Sequence, residues 1–418
     1  MSAAGSRFEG RFAIAARRLV TCDPARASAT DRLGVLEDGA LLVEDGLIAW
    51  VGPRAQLSAR APGITPAVEI EGVATPGLVD AHTHAPWVGS RDAEYALRMA
   101  GAGYEAIAAA GGGIVASMRA VRAARREEIA ATLGARLRRM AALGVTTVEA
   151  KSGYGLDEAS ERKQLEAVAE ASRRDDLPRV VPTYLALHAL PPEAQGDRDA
   201  YAARVASSWL PAIAAAGLCR FVDAYVDRAA FSVAEARPVL ERARDLGLGV
   251  RMHVGQFADV GGAELAASLG AASVDHLEQI GPAGVDALAQ AGTRAVLLPI
   301  ASFTLRQDPP PVAALREAGV PLVVASDANP GTAPTESLPL ALALAVRGYG
   351  LDVQESLLGA TREAAASLGL ASVCGMLREG LSADLALWDL PHENAIVQPW
   401  GGSKIALVLR AGKPIAEA

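Results

Sequence analysis

The sequence predicts an α/β fold, a (β/α)8 TIM-like barrel carrying a small β-sandwich domain assembled from its N- and C-terminal segments. Three observations lead there. Between residues 75 and 371, short apolar runs alternate with Ala/Leu/Arg/Glu-rich helical stretches, the pattern of a parallel sheet. Both chain ends carry β-rich runs broken by turn residues. The imidazoles collect where apolar runs end, as they do when a site is built at the C-terminal rim of barrel strands.

From residue 12 to about 73, "RRLVTC", "GALLVEDGLIAWVG" and "AVEIEGVAT" alternate and stop at turns, so they read as a small antiparallel sheet. "ADLALWDL" (Ala383 to Leu390) and "KIALVLRAGKPI" (Lys404 to Ile415) resume the same style. The small domain is therefore 1–74 plus 372–418, and the barrel 75–371. Its strands are "GLVDAHTH", "TTVEAKS", "VVPTYLALH", "FVDAYVD", "VRMHVG", "SVDHLE", "RAVLLP" and "PLVVASDAN". Eight strands spaced by helices fit a closed barrel, and no GxGxxG opens a helix after the first strand, as a doubly wound nucleotide-binding sheet requires.

With 51% hydrophobic and 21% charged residues in 418, the chain has the composition of a soluble globular protein. A net charge of −8 without a Lys/Arg stripe argues against nucleic acid, and "RAARRE" (Arg122 to Glu127) reads as one solvated helix face. The start, "MSAAGSRFEGRF", lacks an apolar signal region and no apolar stretch is long enough to span a bilayer, so the expectation is cytoplasmic, with no membrane partner. Cys22, Cys219 and Cys374 show no CxxC spacing and read as small apolar residues.

Residues two apart on a strand share a face, so His82 and His84 both project into the barrel mouth. Alone they suit a hydrogen-bonded core pair better than a metal site. With His253 and Asp327 at the ends of strands five and eight, they form a donor set suited to one Zn2+ or Fe ion, leaving a position for water. Lys151, one of four lysines, reads as a structural ion-pair partner of Glu149 or of a loop carboxylate. Arg91, one loop beyond the histidine pair, suits two-pronged recognition of a carboxylate; the bland alternative is an ion pair with Asp92 or Glu94. "AAGGGI" (Ala109 to Ile114) lacks the GK[ST] of a phosphate loop and reads as a mobile loop near the mouth. In "DANPGT", Asn329 precedes Pro330 and Gly331 permits a tight turn, which is expected to expose backbone N–H groups to a ligand.

Taken together, "PGLVDAHTHAPWVGSR", "GYEAIAAAGGGI", "VTTVEAKSGYGL", "ALHALPPE", "MHVGQFADVGGAELAASLGAASVDHLE", "SDANPGTAPTESLPLALALA" and "GLSADLALWDL" resemble the metal-dependent amidohydrolase superfamily over nearly the whole chain. Within it, "KSGYGL", "GGGI" and "NPGT" resemble the branch that opens the ring of 4-imidazolone-5-propanoate in histidine degradation. The resemblance implies hydrolysis of the ring amide to N-formimidoyl-L-glutamate, one Zn2+ or Fe ion per chain, a small carboxylate substrate and a homodimer. It implies His82, His84, His253 and Asp327 as metal ligands, and Asp327, His276 and Gln256 as catalytic residues. Arg91, Tyr104, Tyr154, His188, Gln256, Asn329, Gly331 and Thr332 become the substrate contacts. Departures from the branch pattern at Ala81, Val254–Gly255, Asp227 and Ile300–Ser302 bear on pocket shape and substrate. The rival readings are an aminohydrolase for another cyclic amide or nucleobase-like amidine, and a non-catalytic scaffold, against which the intact ligand set argues.

Overall fold

A computed structural model of the chain describes residues 6–102, 112–228, 230–398, 400 and 402–417. Eight parallel strands hydrogen-bond in chain order: β5 (Leu78–Asp80), β6 (Val145–Lys151), β7 (Arg179–Leu187), β8 (Phe221–Val226), β9 (Gly249–Val254), β10 (Ser273–His276), β11 (Arg294–Leu297) and β12 (Leu322–Val324). Each overlaps a run read as a strand, β6, β7 and β9 beginning one residue before it. Helices cover them from outside, and β6 is buried along its whole length, as expected of a strand packed on both faces.

The barrel closes beyond the formal ends of its first and last strands. Thr83 bridges in parallel to Ala328, Asp327 donates its N–H to the His82 carbonyl at 3.1 Å, and His84 donates to the Ala328 carbonyl at 3.0 Å. Below this seam the buried Asp80 accepts the Ser326 N–H at 3.0 Å and the Ser326 hydroxyl at 2.5 Å. Closure and the histidine pair are therefore built on the same backbone. Burial pushes the Asp80 carboxyl up to about 6, against the pull of its bonds from Ser326.

The second sheet takes β1 (Arg11–Val20), β2 (Val35–Glu44), β3 (Leu47–Pro53) and β4 (Pro66–Pro76) from the N-terminal segment. From the C-terminal segment it takes β13 (Leu385–Trp388), β14 (Ile405–Arg410) and β15 (Lys413–Glu417). Their order is β15-β14-β13-β4-β1-β2-β3. The seven strands form one mixed sheet: β1 and β4 run parallel, where an antiparallel sheet was expected, because the helical link from Arg54 to Arg60 is a crossover returning the chain in the same direction. Side chains alternate between faces, Phe12, Ile14 and Ala16 entering one apolar cluster and Ala13 and Ala15 another.

Only Gly77 separates β4 from β5, so the small sheet feeds straight into the first barrel strand. A Cβ at Gly77 would lie 2.2 Å from the Thr146 side chain, which is why the junction is glycine. Cys22, Cys219 and Cys374 are buried, with thiols pushed up to about 11, 12 and 11 by burial, and none is poised as a nucleophile. "RAARRE" straddles the boundary between the helices Ile114–Ala123 and Arg126–Ala141 and is not one helix face.

Asp80→Ala should lower unfolding stability by about 1–3 kcal/mol, since it strands the buried Ser326 N–H and hydroxyl at the closing seam. Urea denaturation of the purified variant checks this; an unchanged midpoint would mean the seam holds without Asp80.

Candidate active site

Strand geometry delivers the histidines to one point. His82 and His84 follow β5, His253 comes from β9, and Asp327 follows β12, adjacent to β5 through closure. Asp327 Oδ1 lies 3.4 Å from His82 Nε2 and 3.4 Å from His84 Nε2, and His84 Nε2 lies 3.4 Å from His253 Nε2. A tetrahedron with bonds of about 2.0–2.1 Å to a metal has edges of about 3.3–3.4 Å. His82 Nε2 is buried without a hydrogen-bond partner, a cost an ion would relieve. The residues fit a metal ion.

Behind these ligands stand carboxylates that the sequence reading did not single out as functional. His82 Nδ1 is 2.7 Å from Asp275 Oδ2, and His253 Nδ1 is 3.0 Å from Asp223 Oδ1. Each carboxylate accepts a hydrogen bond from Nδ1–H and so leaves Nε2 free to bind an ion, the usual arrangement behind metal-bound imidazoles. Their sequence signal was an aspartate in the middle of the apolar runs "FVDAYVD" and "SVDHLE".

Lys151 anchors both. Its ammonium donates to Glu149 Oε1 at 2.8 Å and Asp223 Oδ2 at 2.8 Å, and lies 3.6 Å from Asp275 Oδ2. Its partners are thus Glu149 and two strand carboxylates, not a loop carboxylate. Burial disfavours the ammonium, yet Asp223, Glu149 and Asp275 raise its pKa. Asp223, His253 and Asp275 also approach one another, but their facing atoms serve Lys151 and the imidazoles, so this cluster supports the metal site and does not add a second one.

The candidate metal site opens onto a small cleft that reaches solvent. Arg91, Tyr154, His188, Gln256, His276, Asn329 and Thr332 all line it, together with Ile114, Tyr225 and Phe257, which sequence reasoning missed. Tyr104 lies outside the described residues, as do residues 109–111 of the glycine run; Gly113 donates its N–H to Glu94 Oε2 at 2.7 Å.

Arg91 makes the ion pair with Glu94 and also lines the cleft. It is buried, donates Nε–H to Glu94 Oε2 at 2.8 Å and Nη2–H to Glu94 Oε1 at 2.5 Å, and still faces the cleft. Gly331 is not among the lining residues. A Cβ there would meet the Arg91 guanidinium at 2.5 Å, so glycine lets the turn lie flat against it. The expected exposed N–H groups of this turn are taken: Asn329 Oδ1 accepts from both Gly331 and Thr332 at 2.8 Å. An asparagine ahead of such a turn bonds its own backbone.

His188 Nδ1 is 2.7 Å from the Gly153 carbonyl, which can only accept; in the neutral ring Nε2 is therefore an acceptor. Burial, then His84 and His253, hold its pKa well below the usual histidine range, so the ring is neutral. The Tyr154 loop is held by Glu161, which accepts N–H bonds from Gly153, Gly155 and Leu156 at 2.7–2.8 Å, and by Gln164, which accepts from Tyr154 at 3.1 Å. Gln256 Oε1 accepts from the Tyr225 hydroxyl at 2.7 Å, leaving its amide N–H groups to the cleft. His276, Leu277 and Asp327 adopt positive φ of 84°, 77° and 55°, strain concentrated at the site.

An eight-stranded parallel barrel with three imidazoles and a carboxylate converging at its rim defines a metal-dependent hydrolase. The chain matches the Amidohydrolase family over residues 73–415 and the Imidazolonepropionase-like composite domain of bacteria over residues 39–63. An imidazolonepropionase of Acidiphilium cryptum is 48% identical over 389 residues, 92% of this chain and 94% of that one. Another, of Mesorhizobium japonicum, is 46% identical over 371 residues, 88% and 90% of the two chains. A zinc-bound adenosine deaminase from Xanthomonas campestris shares the fold, with a TM-score of 0.72 at 22% identity over 96% of this chain and 92% of that one. The chain belongs to the amidohydrolase family, and within it to the imidazolonepropionases.

Burial opposes a proton on His82, but Asp275 and Asp327 raise its pKa to about 9, so an ion taking Nε2 must displace that proton. Apparent metal affinity should therefore climb with pH up to about 9, with proton release in calorimetry; a flat profile would refute it. Asp223→Asn should weaken metal retention about 10–100-fold in chelator competition.

Proposed function

We propose that the chain hydrolyses the ring amide C–N bond of 4-imidazolone-5-propanoate to N-formimidoyl-L-glutamate. The observation that carries this reading is one cleft lined at the same time by His84, His253 and Asp327 and by the Arg91 guanidinium, which Glu94 holds in place. Arg91 is read as the grip on the propanoate tail. Glu94 fixes the plane of its guanidinium, Gly331 packs flat against it, and Arg98 holds the Gly331 carbonyl at 2.7 Å.

The remaining roles follow from donor and acceptor direction. His188 Nε2 accepts a ring N–H, the Gln256 amide donates to a ring nitrogen or carbonyl, and Tyr154 closes the wall between them. Asn329 and Thr332 border the cleft, Asn329 chiefly by shaping its turn. His82, His84, His253 and Asp327 would hold a Zn2+ or Fe ion, whose Lewis acidity would acidify water and polarise a carbonyl. Burial alone would raise the pKa of Asp327, but His82 and His84 hold it well below the usual carboxylate range. Asp327 is therefore ionised, and in this reading it receives the proton of the attacking water and passes it to the leaving ring nitrogen. His276 polarises the carbonyl from the same rim.

A cytoplasmic homodimer belongs to this reading. Among the described residues no helix is long and apolar enough to cross a membrane.

The test is the loss of ultraviolet absorbance of freshly made imidazolone propanoate, before and after chelation, with unsubstituted imidazolone as control. Turnover needing both metal and propanoate is expected; turnover of neutral cyclic amides alone would overturn the substrate. Asp327→Asn should abolish turnover with the circular dichroism unchanged. Arg91→Ala should raise KM about 10–100-fold, from the loss of about 1.5–3 kcal/mol of charge-assisted hydrogen bonding.

A further inference from the structure

His276 has a second set of neighbours on the side away from the metal ligands. Its Nδ1 is buried without a hydrogen bond, and 3.8 Å away lies Glu278 Oε2, also buried and also without one. Two such atoms facing each other, one able to carry a proton and one able only to accept, are complementary. A separation of 3.8 Å is too long for a hydrogen bond, but catalytic hydrogen bonds are often long without substrate and shorten in the complex.

The other oxygen of Glu278 is already committed. Glu278 Oε1 accepts from the Ser302 hydroxyl at 2.5 Å, and Ser302 Oγ accepts from the Tyr349 hydroxyl at 2.6 Å. Ser302 has one proton, so the direction is set: Tyr349 donates to Ser302, and Ser302 donates to Glu278. Every member is buried. The members come from three separate places: the turn after β10, the helix Pro299–Leu305 and the last residue of the helix Leu338–Tyr349.

We propose that Glu278 is a positioning residue for His276, accepting its Nδ1–H, and that Ser302 and Tyr349 hold Glu278 in place. The arrangement fixes the ring so that Nε2 is the nitrogen offered to the reacting group, about where the other imidazoles converge: the His276 ring centroid is 5.5 Å from that of His253 and 6.0 Å from that of His82. Two successive residues at positive φ, His276 and Leu277, bend the chain so that Glu278 comes back beside His276. The inference deepens the imidazolone reading and rests on it for its kinetic arm only.

The test uses the metal-loaded full chain. Glu278→Gln should lower kcat about 10–100-fold with KM within about twofold and metal content unchanged. Tyr349→Phe, nearly isosteric, and Ser302→Ala should each lower kcat about 3–10-fold, and Ser302→Thr should restore most of the Ser302→Ala loss because it returns the hydroxyl. Long-range ¹H–¹⁵N spectra of ¹⁵N-histidine-labelled protein should show His276 Nδ1 protonated, and its signal should move in Ser302→Ala and Tyr349→Phe. An unprotonated Nδ1, or full kcat in Glu278→Gln and Ser302→Ala, would overturn the proposal. Absence of turnover by the wild type would instead sink the substrate reading, while the spectra still decide the role of Glu278.

Discussion

The site depends on one buried ammonium. Glu149, Asp223 and Asp275 all point into the interior of the barrel, where uncompensated carboxylates are expensive, and Lys151 is the cation they share. Arg251, also fully buried, stands 3.6 Å from Asp275 and 3.9 Å from Glu149 and donates to the carbonyls of Ala81 and Ser367. Buried ion pairs seldom add net stability over an apolar core of the same shape, so this cluster is better understood as geometry. It holds Asp223 and Asp275 where they must be to aim His253 and His82. Counting Asp327, four carboxylates meet the two cations Lys151 and Arg251, and a divalent ion displacing the His82 proton would offset the remaining negative charge.

The same economy of shared parts appears on the substrate side. Glu94 alone receives Arg91, Arg98 and the Gly113 N–H, so the cation facing the cleft, the turn after β12 and the start of the helix Ile114–Ala123 are referred to one carboxylate. The "SGYGL" loop is referred in like manner to Glu161, whose pKa burial raises despite its backbone bonds. Loops that carry chemistry are thus tied at their backbone N–H groups by acids on flanking helices, which limits the conformational entropy lost when substrate binds.

Much of this was legible in one dimension. His82 and His84 were readable because a strand has period two, and His253 and Asp327 because each ends an apolar run. The mid-strand aspartates were visible as characters but not as partners, since nothing local says that Asp275 meets His82 across 193 residues. The "NPGT" turn was readable as a turn and misread as a donor, because whether Asn329 spends its oxygen on its own backbone is decided by a rotamer.

By itself the sequence determined the alternation of strands and helices, the sharing of one small sheet between the chain ends, and the residue types available at the rim, all of which follow from local periodicity and the placement of polar residues. Only the tertiary structure decided the parallel pairing of β1 with β4, the partners of Lys151, the ion pair of Arg91 with Glu94, and the line from Tyr349 through Ser302 to Glu278. The physical reason is that periodicity fixes which face a side chain takes, whereas a hydrogen bond or ion pair requires two atoms from distant segments to meet within about 3 Å, and only closure of the barrel sets that distance.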